Sequence, residues 1–293
     1  MLISNIQVRD GPGYCELRAE LKFATHWVWG DEPFLLWYRY PAEFRECLRA
    51  DNGDPFLAVG LAPAMLLGET LEITAPVSPR LLAAVPQIQA IYHGWEPRLQ
   101  EIAVQAPTRN GAFPPAQAKP FCVLFFSLGV DSCYSLWKNV TQHPADDQSL
   151  THLISVLGFD VYLWESERYP PILASAQRVA RELNKTVLSV STNLREVGDR
   201  LVDWPLIHHG AGLASVVLAA GPVFSRALIA ASGTYAELHV CGTHPLLDPL
   251  WSTENVTFLH DGLEADRLQK IRAIARSPLL LDTVRVCIAD DAP

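Results

Sequence analysis

Phe121-Cys122-Val123-Leu124-Phe125-Phe126-Ser127-Leu128-Gly129-Val130-Asp131-Ser132 is the stretch on which the fold turns. Its first six residues are an unbroken apolar run, short enough for a strand buried on both faces. A small glycine-containing turn, Ser127 to Ser132, comes next, and Leu136, Trp137 and Val140 then follow at helical spacing. A strand, a tight turn and a helix entered from it gather backbone N–H groups and a positive helix end at one point, where phosphate binds readily. Ser127 and Ser132 add hydroxyl donors, and Asp131 is suited to a magnesium ion whose other ligands are phosphate oxygens. The plain alternative is a strand–helix turn with Ser132 as an ordinary helix cap.

Working outward, short apolar runs alternate with helical patterns. Runs at residues 153–157, 187–190 and 228–231 are separated by helical stretches at 172–183, 193–204 and 212–220. Later strand candidates lie at 256–259 and 284–288, with a helix at 264–275 between them. This alternation predicts an α/β fold, a Rossmann-like parallel sheet with helices on both faces, whose ligand sits at the carboxyl ends of the strands.

Before the run at 121–126 the pattern differs. Residues 109–120 contain Asn110-Gly111, Pro114-Pro115 and Pro120 and read as a linker. Residues 1–108 read as a smaller α+β N-terminal domain, with strands expected at 2–8, 15–23, 34–38, 56–61 and 71–74. Ser78-Pro79 is a helix start, with Ser as cap and Pro at the first position. Residues 121–293 form the second expected unit. Trp27, Trp29 and Trp37 read as core or interface.

Ser127-Leu128-Gly129-Val130-Asp131-Ser132 resembles the Ser-Gly-Gly-x-Asp-Ser signature of the PP-loop ATP pyrophosphatases, a branch of the adenine nucleotide α-hydrolase-like fold. Thr192-Asn193-Leu194-Arg195 and Gly242-Thr243-His244-Pro245-Leu246-Leu247-Asp248-Pro249-Leu250-Trp251-Ser252 are similar to elements of the 7-cyano-7-deazaguanine synthase-like branch, in the same order. Two departures stand out. Leu128 occupies the place of the signature's first glycine, and the sequence ends Cys287-Ile288-Ala289-Asp290-Asp291-Ala292-Pro293 without that branch's zinc-binding cysteine cluster. The resemblance implies ATP and Mg2+ as cofactors, the loop and magnesium holding the departing pyrophosphate. It also implies adenine contact from the backbone at Gly158, Phe159 and Asp160. The reaction implied is attachment of AMP to a substrate oxygen, then displacement of AMP by sulfur or nitrogen.

Several side chains bear on that second step. Cys133, in the first turn of the expected helix, and Cys241 are candidate thiolates or persulfide carriers; the commoner fate of either taken singly is a small buried hydrophobe. His244 is a candidate acid, base or phosphate contact, or merely orders a Pro-rich loop. Asp248 orients His244, binds substrate or caps a turn. Arg195 suits a phosphate or carboxylate clamp, or is a solvated helix charge. His208 and His209 precede a helix, where His209 is a candidate substrate contact and a helix-start role is the alternative. Cys122 and Cys287 read as core.

Composition narrows the partners. The 293 residues are 49% hydrophobic and 19% charged, with 23 Lys and Arg against 32 Asp and Glu and a net charge of -9. That balance disfavours a nucleic acid partner. The six cysteines contain no C-x-x-C pair, so reduced thiols are expected. No membrane span or signal peptide is legible, which gives a cytoplasmic expectation. The expected activity is ATP-dependent adenylation of a small, heterocyclic or carboxylated molecule, followed by sulfur transfer to a thiocarbonyl product. A sulfur-donor protein such as a cysteine desulfurase is the implied partner, and a homo-oligomer stays open. The alternatives are ammonia as nucleophile, a tRNA-thiolating enzyme, and a non-catalytic nucleotide-binding module.

Overall fold

The computed structural model describes residues 1–25 and 29–285. Trp27, Cys287 and most of the strand expected at 284–288 lie outside these. The strands are β1 (Leu2–Gly11), β2 (Tyr14–Lys22), β3 (Phe34–Pro41), β4 (Leu71–Ile73), β5 (Val104–Gln105), β6 (Phe121–Phe125), β7 (His152–Leu157), β8 (Thr186–Thr192), β9 (Phe224–Ala230) and β10 (Thr257–Asp261). The helices are α1 (Asp54–Leu67), α2 (Pro79–Trp95), α3 (Val130–Gln142), α4 (Tyr169–Glu182), α5 (Leu194–Leu201), α6 (His209–Ala219), α7 (Arg267–Ile274) and α8 (Pro278–Thr283).

All ten strands join one sheet, in the order β10-β9-β6-β7-β8-β3-β2-β1-β4-β5. The first five are mutually parallel. Antiparallel pairing enters at β8–β3 and continues through β3–β2 and β2–β1. The chain runs from β6 outward to β8, then returns to place β9 on the other side of β6. That reversal opens a crevice at the carboxyl end of β6.

Alternation along β6 explains how its unbroken apolar run is used. Val123 and Phe125 enter one core with residues of α1 and α6, whereas Cys122, Leu124 and Phe126 enter another with residues of α3, α4 and α7. Helices therefore cover both faces of the strand that carries the loop.

One expected strand is a helix. Residues 56–61 lie inside α1, where every residue from Asp54 to Met65 is buried. A helix apolar on all sides shows no 3.6-residue period, so its sequence reads like a buried strand. The helix expected from Ser78-Pro79 is α2, with the Ser78 side chain accepting from the Leu81 N–H at 3.1 Å. Helix α8 occupies a segment for which no helix was expected.

Residues on either side of 109–120 share the sheet and a core. Only Tyr38–Thr192 and Arg39–Ser191 pair across β3 and β8. Asn193 reinforces this seam, its amide donating to Leu35 O at 2.9 Å and accepting from Trp37 N–H at 3.0 Å. Asn52 donates to Leu218 O at 2.8 Å, and the Tyr92 hydroxyl donates to Ile207 O at 3.2 Å. Asn193→Ala leaves two strand groups without partners and is expected to cost about 2 kcal/mol, read as a lower urea midpoint with an unchanged slope.

Among the described residues no single helix is long and apolar enough to cross a membrane.

Candidate functional site

Strand β6 ends at Phe125 and the chain turns through Ser127, Leu128 and Gly129 into α3. Leu128 adopts a left-handed conformation, φ 64°, at the position where the signature has glycine. Such a φ costs a leucine on the order of 1–2 kcal/mol. Its side chain is completely buried, and its carbonyl accepts from Arg285 N–H at 2.8 Å and from the Cys133 thiol at 3.4 Å. Packing and these bonds hold the glycine-like turn without the glycine.

No side chain caps α3. The N–H groups of its first residues, Val130 to Ser132, therefore lack an i−4 carbonyl and face outward from the helix end. Ser127 Oγ accepts from Gly129 N–H at 3.2 Å and lies 3.4 Å from Ser132 Oγ, while Ser132 donates to Gly129 O at 3.1 Å. The reading of Ser132 as helix cap is thus replaced by a hydroxyl lining the loop.

A cavity of about 440 Å³ opens over this turn. At one end stand Ser127, Gly129, Asp131 and Ser132, with Arg267 and Arg285 among the lining side chains. Its other walls are mainly apolar, with Val156, Val161, Ile172 and Leu213. Tyr169 at the start of α4 also lines it, its hydroxyl held by Ser155 and Ser189 at 3.0 Å each. A polyanionic tail at the cationic end and a flat, mostly apolar body against the far wall would match this division.

Asp131 is engaged on both oxygens. Lys270 Nζ meets Oδ1 at 3.1 Å and Arg267 meets Oδ2 at 3.1 Å. Lys270 is 1% exposed and also donates to Ala231 O. An aspartate already neutralised by two cations fits a pivot that aims positive charge at the loop better than it fits a direct metal ligand. Among the described residues no three His, Cys, Asp or Glu side chains are grouped to hold a metal ion.

The segment at 158–160, where the resemblance implies adenine contact, has a built shape. Gly158 has φ 104°, and its N–H donates to Val161 O at 2.8 Å, closing a turn after β7. Gly158 itself packs against Thr192 O, whereas Phe159 and Asp160 line the cavity. Arg195 does not reach the cavity. Its guanidinium donates to Phe159 O at 2.9 Å, pairs with Asp199 at 2.9 Å, bonds the Tyr162 hydroxyl and lies against the Tyr162 and Trp204 rings. The clamp expected of Arg195 is corrected: it lies outside the cavity lining and buttresses the Phe159 turn.

The histidines separate. His209 lines the cavity, and burial lowers its proton affinity, against an opposing pull from Asp160. His208 is bonded to Val59 O at 2.9 Å and burial pushes its pKa down to about 4, which makes it a neutral core residue. His244 is held off the main cavity, its Nδ1 accepting from Leu246 N–H at 3.1 Å and its ring set edge-on to Trp95. Burial, then His260, lowers its pKa.

Asp248 is fully buried behind these groups. It accepts from His244 N–H at 3.2 Å and from His260 Nδ1 at 2.7 Å. Burial raises its carboxyl pKa while the His260 bond opposes the rise. Direct substrate contact by Asp248 is therefore excluded, and the ring it orients belongs to His260, with only the backbone of His244.

The two thiols also part. Cys133 faces the core rather than the ligand, and burial, joined by the Asp131 charge, pushes its thiol up to about 12. The thiolate expected from its place at the helix start is corrected, because desolvation outweighs the helix dipole. Cys241 is half-buried and lines the cavity. Alkylation of the native protein at pH 8 is expected to label Cys241 and spare Cys133, with peptide masses reporting each site.

Lys270, Arg267, Arg285 and His260 had escaped notice in the sequence. No local pattern marks them: the cations come from an ordinary polar helix face and a chain-terminal stretch, and His260 from the end of a strand. Compared with known proteins, the chain matches no family model, no curated protein and no solved structure.

Proposed function

We propose that this chain is an ATP pyrophosphatase-type enzyme that adenylates an oxygen of a small substrate and then replaces AMP by sulfur. The observation that carries the reading is the convergence, on one end of one cavity, of an uncapped helix start with Arg267 and Arg285, backed by the buried Lys270–Asp131 pair. Strand order supports it: taking β6 as first, the parallel strands run 3-2-1-4-5, the doubly wound order of nucleotide-binding sheets. The resemblance of the loop and of the segment after β9 to PP-loop enzymes supports it as well.

In this reading a carbonyl or carboxylate oxygen attacks the α-phosphorus of ATP and pyrophosphate leaves. Arg267 and Arg285 stand where the leaving charge develops, together with the magnesium that ATP brings. Lys270 and Asp131 hold that end rigid, and the apolar wall near Val156 and Ile172 takes the base. AMP is then a good leaving group, and Cys241 is the thiol within reach of the cavity. Ammonia as nucleophile is the second reading. The burial of Cys133 favours it, because sulfur chemistry is left with a single accessible thiol among the described residues.

The test is pyrophosphate and AMP release from ATP and magnesium across a panel of oxo-heterocycles and carboxylic acids. Sulfide or ammonia is supplied in parallel and product masses are read. Substrate-dependent pyrophosphate with an oxygen-to-sulfur mass change is expected. ATP binding without turnover on every substrate would replace the proposal by a nucleotide-binding module.

A further inference from the structure

At the carboxyl edge of the sheet, the turn after β7 carries a carboxylate that no described residue binds. Asp160 lines the cavity and, among the described residues, has no hydrogen-bond or ion-pair partner. Its neighbours Phe159 and Val161 are 3% and 4% exposed, so the turn is buried on both sides of an exposed apex. The apex is fixed. Gly158 N–H donates to Val161 O at 2.8 Å, Arg195 donates to Phe159 O at 2.9 Å, and the Phe159 ring packs on Trp204 at 4.9 Å. Aspartate often occupies a turn because its side chain bonds the turn's own backbone. Asp160 makes no such bond, so turn chemistry does not account for it.

We propose that Asp160 accepts hydrogen bonds from the ribose hydroxyls of the bound nucleotide and makes the cavity select ribonucleotides over deoxyribonucleotides. This deepens the ATP reading above and rests on it. An ionised carboxylate accepts hydrogen bonds and donates none, so the ligand beside it brings the donors. Against the triphosphate it would repel, which leaves the uncharged parts of ATP as its neighbours. The ribose diol and the base amino group are the donors there.

Position decides between them. Strands β6 and β7 are adjacent and parallel, about 4.8 Å apart, so the Asp160 turn leaves the sheet one strand over from the phosphate loop and at the same edge. The sugar is the part of ATP next to the phosphates, whereas the base takes the apolar wall. A carboxylate exposed at the mouth meets hydroxyls of the sugar more readily than an amino group lying flat on that wall. The cations of this edge are committed elsewhere. Arg267 pairs with Asp131 and Arg195 with Asp199, while burial holds His209, which feels the Asp160 charge, toward its neutral form.

The experiment measures, by calorimetry with magnesium present, the affinities of ATP, its two ribose-monodeoxy forms and inosine triphosphate. Wild type, Asp160→Asn and Asp160→Ala are compared. A hydroxyl donating to a charged acceptor contributes about ten- to a hundredfold in affinity, so at least one monodeoxy form should bind wild type about tenfold more weakly than ATP. Asp160→Ala should bring ATP and both monodeoxy forms to the same affinity. Asp160→Asn, which keeps an acceptor oxygen without the charge, should fall between. Asp160 is exposed and unbonded, so neither change should lower the melting temperature. Equal wild-type affinity for ATP and both monodeoxy forms overturns the assignment and leaves the ATP reading standing. So does discrimination that survives Asp160→Ala. A shifted preference between inosine and adenosine triphosphates in Asp160→Ala, with the deoxy ratios unmoved, would put the carboxylate on the base and overturn it as well. Absence of binding by every triphosphate sinks the ATP reading and this assignment with it.

Discussion

Asp131→Ala is expected to lower ATP-dependent pyrophosphate release by about a hundredfold or more and to destabilise the fold by about 2–3 kcal/mol. The stability loss comes from Lys270. Its ammonium is 1% exposed and would keep only Ala231 O as a hydrogen-bond partner, beside the Tyr134 ring, once the carboxylate is gone. Removing one member of a buried ion pair costs about 3–5 kcal/mol. The lower figure applies because Asp131 is 21% exposed, so solvent screens part of the interaction. For a chain of this size the melting temperature should fall by about 5–10 °C. The activity loss has a separate origin, since Asp131 holds Arg267 and Lys270 at the loop. Adding Lys270→Met to Asp131→Ala removes the stranded charge and should recover most of the melting temperature while leaving pyrophosphate release low. Thermal melts and a pyrophosphate assay on wild type, both singles and the double separate the two effects. A double variant as active as wild type would remove the pair from the mechanism.

Gly158→Ala is expected to be the most damaging single methyl that can be added near the site. Its Cβ would lie 1.9 Å from Thr192 O, and φ is 104°, which side-chain-bearing residues rarely adopt. The obstructing atom is backbone, so no rotamer change relieves it. Nor is Thr192 free to retreat: it pairs with Tyr38, and its hydroxyl donates to Trp37 O at 2.7 Å. A cost above about 4 kcal/mol is expected, seen as insoluble protein or the loss of a cooperative melt. Gly94→Ala is the control. It sits inside α2 with nothing within 4 Å of an added Cβ, and should be neutral or stabilise by up to about 1 kcal/mol. A Gly158→Ala protein melting within about 2 °C of wild type would contradict the packing described here.

The α/β class, the strand–loop–helix unit at 121–142 and the position of the cavity were legible because they depend on local order. A buried strand, a turn and a helix start lie within a dozen residues, and the sheet places that turn at its carboxyl edge. Legibility failed where burial or distance decides. Helix α1 read partly as a strand because it is apolar all round. Cys133 read as a thiolate because the helix dipole is visible in sequence and desolvation is not. Arg195 read as a clamp because nothing local shows that Phe159 and Tyr162, more than thirty positions away, already engage its guanidinium. Lys270 meets Asp131 across 139 positions of chain, and no local pattern joins them.

A cut within the mostly exposed stretch 114–119 would not release two independent proteins. The N-terminal fragment would keep β1–β5 but present β3 as an open edge, with the apolar residues of α1 stripped of their α6 neighbours. The other fragment would present the complementary edge of β8. Edges and apolar faces of this kind pair with each other or aggregate. The two fragments should therefore reconstitute when expressed together and precipitate when expressed apart, so that proteolytic nicking leaves the molecule assembled while genetic truncation at the same point destroys it.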